Sequence, residues 1–232
     1  MAKKIRRIMS QFKTTGAVAG VVAALLMVGT GKINAQATPT GTGKLGPAAP
    51  VTYDNKYEVY GGANFMNFQA GQNLPKRMNF GGWEALGTYW VNRKVGLGLD
   101  ARGEYGTTPV FPNPYPQIQS RPFVSMYMIM PGLQYRGPKN HYAALNYHAY
   151  AGPAFGQFNH STDGVPPENI GLYSNRTAFL AALGGSVDFN RSKKLAIRLQ
   201  PDLILEHFGT ETREFFAISG GVIYRFGNGK NK

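Results

Sequence analysis

From residue 57 onward, hydrophobic and polar positions alternate along the chain with a period of two. In 195–208, Leu195, Ile197, Leu199, Leu203 and Leu205 share one parity, and Ala196, Arg198, Gln200, Asp202 and Glu206 share the other. Successive side chains of a strand point to opposite faces, so this spacing predicts a strand with one apolar and one polar face. In 95–106, Val95, Leu97, Leu99, Ala101 and Tyr105 oppose Gly96, Gly98, Asp100, Arg102 and Glu104. The same pattern recurs in 177–190 and in 213–226.

Eight segments carry the pattern: 57–68, 78–91, 95–106, 121–136, 142–158, 177–190, 195–208 and 213–226. Each is long enough for a tilted membrane crossing of about 9–11 residues. Short connections fall at 92–94, 137–140 and 190–194, and longer ones at 69–77, 107–120 and 159–176. Only 209–212 is shorter than this alternation asks. Short turns at one end and long loops at the other are the asymmetry of outer-membrane barrels. The expected fold is therefore all-β, an eight-stranded antiparallel up-and-down transmembrane β-barrel over 54–228. In 121–136 both parities are apolar at the centre. The aromatic set Phe123, Tyr127 and Tyr135 is placed outward, which puts Met126, Met128 and Met130 inside as packing.

Alternation alone does not say which face meets lipid. A soluble periplasmic ligand-binding barrel would turn the apolar face inward. Two features favour the inverted arrangement. The polar parity is rich in small residues, such as Gly96, Gly98, Gly184, Ser186, Ser219 and Gly221, which suit a narrow lumen. Aromatics gather near strand ends, as at Tyr57, Tyr89, Tyr142, Phe189, Tyr224 and Phe226, as in interfacial girdles. Charged residues then point inward. Glu58, Glu84, Asp100, Arg102, Glu104, Asp188, Arg198, Asp202, Glu206 and Arg225 form a candidate luminal ion-pair network, with Arg136 on the same parity. On shared faces, Arg198 is expected to meet Asp202 and Glu206, and Arg102 to meet Asp100 and Glu104. The expected role is to fill the barrel and fix register, because buried charge is tolerated when paired.

The first fifty residues differ in kind. Residues 1–16 are basic, 17–29 are apolar, and Ala35-Gln-Ala37 follows. A positive segment, a short apolar run and an A-x-A end predict a secretory signal peptide over 1–37, cleaved after Ala37 or, alternatively, Ala35. Residues 38–53 read as a flexible leader and 229–232 as a short basic tail. Both termini are expected on the periplasmic side.

Composition sharpens this picture. Charged residues make up 16% of the chain, well below the quarter usual for soluble domains. The formal charge is +13, but six of the 25 basic residues lie in the first 37. After residue 37, 19 basic residues face 12 acidic ones, a balance of +7 partly held in short turns. No nucleic-acid motif accompanies it, so no nucleic-acid partner is expected. The chain has no cysteine, which excludes disulfides, thiolate metal sites and an acylated cysteine anchor.

The run from Gly82-Trp-Glu-Ala-Leu to Arg102-Gly-Glu-Tyr-Gly106 resembles the second and third strands of the OmpA-like outer-membrane β-barrel family. Pro131-Gly-Leu-Gln-Tyr-Arg136 and Gly221-Val-Ile-Tyr-Arg-Phe226 resemble its fourth and closing strands. The resemblance covers roughly residues 57–226. It implies a barrel monomer in the outer membrane, in contact with membrane lipid and lipopolysaccharide and delivered by periplasmic chaperones and the assembly machinery. It departs from the family after Phe226, where GNGKNK follows the closing aromatic. A wall-tethering role is not implied.

Function classes follow from the absence or presence of reactive patterns. No metal, cofactor or catalytic site is expected, and the chain is read as a surface or structural protein rather than an enzyme. A lipid A-modifying barrel is the alternative, since a deacylase of that kind would pair a histidine with a serine two residues on. The four histidines are His141, His148, His160 and His207, and none has that spacing. His148 lies on the luminal parity, where it could meet an acid. An open diffusion porin is not expected, because eight strands enclose an interior that side chains fill. The loop 107–120, with Phe111 and Tyr115 among four prolines, reads as a stiffened linker.

Overall fold

A computed structural model describes residues 51–71, 74, 76–110, 121–160, 162–174 and 176–228. The expected signal peptide, most of the leader, the basic tail, and Phe111 and Tyr115 lie outside the described residues.

The eight alternating segments form eight strands: β1 (Asn55–Phe68), β2 (Met78–Trp90), β3 (Val95–Thr107), β4 (Phe123–Lys139), β5 (Ala143–Gln157), β6 (Arg176–Asn190), β7 (Leu195–Glu206) and β8 (Arg213–Asn228). Each pairs antiparallel with its neighbour in sequence, and β8 pairs back onto β1, from Tyr57–Phe226 at one end to Asn67–Phe216 near the other. The sheet is thus a closed barrel in the order β1 to β8. Closure leaves no unpaired strand edge.

Three short turns close one end by the same chemistry. The Asn92 side-chain oxygen accepts from the backbone N–H of Lys94 and Val95, both at 2.8 Å. Asn140 does the same for Tyr142 and Ala143, and Ser192 for Lys194 and Leu195. Such side chains satisfy turn N–H groups that no ladder can reach. The turn after β4 begins later than the sequence suggests, because β4 continues to Lys139. Its register against β5 shifts between Arg136 and Lys139, where Pro138 has no N–H to give.

The two parities separate cleanly. One is exposed and apolar, with Leu133 56%, Leu99 53% and Phe179 64% accessible. The aromatic set of β4 lies on this exterior, and Met126, Met128 and Met130 are buried inside. A soluble ligand-binding barrel would have the reverse arrangement.

The end of the leader is docked rather than free. Val51 and Tyr53 are buried at the short-turn end, with Ala144. Tyr53 takes a left-handed φ of 57° and turns its ring under the barrel. Its hydroxyl donates to the Asn140 carbonyl at 2.7 Å and accepts from Asn190 Nδ2 at 2.6 Å. Burial raises its pKa above the usual tyrosine value, with the Asn190 hydrogen bond opposing.

Candidate functional site

The ten charged residues singled out by parity all have buried side chains on the inner face. They fall into levels along the barrel. Nearest the short turns, Glu58 accepts from Arg136 Nη2 at 2.5 Å and from Arg225 Nε at 3.1 Å. Asp188 accepts from Arg198 through Nε at 2.7 Å and Nη2 at 3.0 Å, from Arg225 at 3.2 Å, and from Asn146 at 3.0 Å. The Arg136 guanidinium also lies 3.7 Å from the Trp90 ring centroid. Three arginines therefore share two carboxylates here.

The middle level has the opposite balance. Arg102 contacts Asp100 at 2.7 Å, Asp202 at 2.5 Å and Glu84 at 3.5 Å. Asp202 also meets His148 Nε2 at 2.6 Å. Glu84 accepts from Gln200 at 2.6 Å and Asn64 at 3.0 Å. β3 and β7 stand four apart in a closed ring of eight, so the Arg102–Asp202 contact spans the bore. Glycine makes room for it: a Cβ at Gly184 would run into Asp202 and lie 2.9 Å from His148 Nε2.

The expected partners of Arg198 are corrected by this geometry. Arg198 pairs with Asp188, its direct neighbour across β6 and β7, not with Asp202 or Glu206. Directly opposed residues of adjacent strands lie closer than residues two apart on one strand. Arg102 keeps Asp100 but forms no ion pair with Glu104 among the described residues. Both Glu104 carboxylate oxygens are buried without a hydrogen-bond partner among those residues. Glu206 accepts from the Phe208 backbone N–H, and its other oxygen has no hydrogen-bond partner among the described residues. Arg136 belongs to the network through Glu58, and Tyr53 is hidden from parity because it precedes β1.

Toward the long loops the interior becomes apolar. Phe68 stacks on Phe80 at 5.0 Å and tilts against Phe215 at 4.9 Å. The β5–β6 loop folds over them, its Tyr173 N–H donating to Ala70 O at 2.9 Å and its ring stacking on Phe208 at 6.0 Å. Burial pushes the Tyr173 hydroxyl up to about 12.

One contact joins residues that linear spacing kept apart. Ser125 Oγ of β4 lies 2.9 Å from His160 Nε2 of the β5–β6 loop, on the outer wall beside Phe123. Ser125 is 2% exposed. Among the described residues, no group of three histidines or carboxylates is placed to hold a metal.

No family model matches the chain, and no curated protein matches it. Solved structures do. Neisserial surface protein A aligns with 74% of this chain and 97% of its own, at 11% identity and a TM-score of 0.50. Ail, the attachment invasion locus protein of Yersinia pestis, aligns at 16% identity with 75% of this chain, 99% of its own and a TM-score of 0.48. The outer membrane protein OprG of Pseudomonas aeruginosa aligns at 11% identity, covering 74% and 96%, with a TM-score of 0.45. The chain has the fold of the eight-stranded outer-membrane β-barrels. At these identities the likeness concerns fold alone.

Proposed function

We propose that this chain is an outer-membrane β-barrel with a structural or surface-interaction role and a lumen closed by its own side chains. The observation that carries the closed lumen is the Arg102–Asp202 pair across the bore, with both side chains 1% exposed. A hydrated ion would have to break that pair and the Glu58–Arg136 pair below it. The exposed apolar belt supports a location in lipid, with short turns and both termini toward the periplasm. Its partners are then membrane lipid and lipopolysaccharide, with the assembly machinery and periplasmic chaperones during biogenesis. The protein works as a monomer and engages no nucleic acid.

Planar-bilayer recording tests this reading. The full chain is expected to give only small, irregular conductance, whereas a steady large conductance would overturn the closed lumen.

The Ser125–His160 contact favours a second reading, a lipid-modifying enzyme acting at the outer rim. A histidine nitrogen at 2.9 Å can take the proton of an attacking serine. The burial of Ser125 weighs against it, since a substrate carbonyl must reach Oγ. Mass spectrometry of lipid A from cells with and without the protein separates the two readings. A deacylated or otherwise altered species that disappears with Ser125→Ala would establish the enzyme.

A further inference from the structure

We infer that the short-turn rim is a collar for anionic phospholipid headgroups. The inference rests on the membrane orientation proposed above. Arg93 and Lys94 project from the β2–β3 turn, and Arg191, Lys193 and Lys194 around the β6–β7 turn, all exposed. Lys139, at the end of β4, turns its ammonium to the Arg93 carbonyl at 3.4 Å and over the Tyr53 ring at 5.1 Å. Lys56, in β1, is half-buried and holds its ammonium 5.3 Å from the Tyr89 ring centroid of β2. Against these, the only acid at this end outside the lumen, among the described residues, is Asp54, 3.4 Å from Arg93. The long-loop rim is mixed instead: Lys76, Arg77, Arg121, Arg176 and Arg213 face Asp163, Glu168, Glu211 and Glu214.

Two features select lipid over a protein partner. The first is depth. Tyr89, Tyr142, Phe189 and Tyr224 stand exposed on the outer face within a few residues of these cations. Interfacial aromatics mark the headgroup level, so the cations lie beside phosphates. The second is distribution. The exposed cations stand at the β2–β3 and β6–β7 turns, on opposite sides of the ring, with Lys139 and Lys56 between them. A discrete partner would dock on one side, whereas lipid surrounds the barrel. Each Lys or Arg near an anionic leaflet changes partitioning roughly five-fold, and salt screens the effect.

The lumen does not compete for the same lipid. Its lower arginines, Arg136, Arg198 and Arg225, are buried and held by Glu58 and Asp188. The collar is thus a surface property, separable from the barrel's internal pairing. Lys94 and Lys194 engage the fold through their backbone groups, so their side chains can be changed without touching the turns' hydrogen bonds.

The test is electron spin resonance of chain-labelled phosphatidylglycerol and phosphatidylcholine in phosphatidylcholine vesicles holding the full chain. The native protein is expected to prefer the labelled phosphatidylglycerol by at least about three-fold at low salt, falling toward unity at high salt. The variant Lys94→Gln/Lys193→Gln/Lys194→Gln is expected to lose at least roughly half of that preference. The long-loop variant Lys76→Gln/Arg121→Gln is expected to keep it. Equal association of both lipids with the native chain overturns the collar, as does a preference that the turn variant leaves intact. Binding of the collar to isolated peptidoglycan in place of phosphatidylglycerol would also overturn it, by assigning the charges to the wall. Failure of the chain to enter vesicles at all would instead count against the membrane reading on which the collar rests.

Discussion

Arg102 on β3 reaches across the barrel to Asp202 on β7, a contact of 2.5 Å between strands that share no ladder. The same guanidinium holds Asp100 on its own strand and approaches Glu84 on β2. One side chain therefore neutralises acids from three strands and both halves of the barrel. Removing one partner of a buried pair leaves an uncompensated charge, which costs about 3–5 kcal/mol. Arg102→Ala is expected to lower refolding stability in detergent by that order, and Arg198→Ala, which leaves Asp188 with Arg225 and Asn146, by less. Denaturant titration of the folded band checks both. Stability equal to the parent, with loss of a lipid-modifying activity, would make the arginines functional rather than structural.

Tyr53 offers a smaller test at the barrel's lower end. Its hydroxyl joins Asn140 to Asn190, and so links two short turns to the segment before β1. Tyr53→Phe keeps the ring beneath Arg136 and Arg225 but removes these bonds. A loss of about 1 kcal/mol is expected. Tyr53→Ala should cost more and expose the 51–54 segment to protease, read as earlier cleavage before β1. Equal protease resistance in both variants would mean that the docked segment adds nothing.

Much of this architecture is legible in the parity of single residues. Alternation located all eight strands to within about three residues at each end, and it sorted inward from outward side chains along them. It named Asp100 beside Arg102 but not the partners across the barrel, because closure brings β3 against β7 at a distance of a hundred residues in sequence. Arg198 illustrates the limit. Parity offered Asp202 and Glu206 on its own strand, whereas the ladder supplies Asp188 directly opposite. The Ser125–His160 contact was invisible for a related reason, since a loop folds back over a strand 35 residues earlier. Tyr53 lay outside the periodic region, where only its backbone turn brings it under the barrel.

Alkaline pH should loosen the long-loop end. Burial raises the folded pKa of Tyr173 from 10.0 to about 12. A raised folded pKa means that the neutral hydroxyl favours the folded state. Its contribution is present in full below about pH 10 and is lost as pH climbs toward 12. The absorbance difference at about 295 nm between the native chain and Tyr173→Phe is expected to show a step near 12. A step near the ordinary tyrosine value would mean that the β5–β6 loop does not bury this ring in solution.

The A-x-A site at Ala35-Gln-Ala37 leads us to expect a mature chain that begins at Thr38, or near it. Intact mass of membrane-extracted protein decides the point. A retained Met1 would mean that the apolar run 17–29 stays attached as an anchor.

The most direct measurement of the central claim is fractionation with and without detergent, followed by electrophoresis before and after boiling. An apolar exterior and a charged interior require lipid or detergent around the barrel. We expect the protein in the outer-membrane fraction, released only by detergent, and running as a compact band that shifts on boiling. Recovery as a soluble periplasmic monomer without detergent would contradict the account, because the exposed belt of Leu99, Leu133 and Phe179 has no place in water.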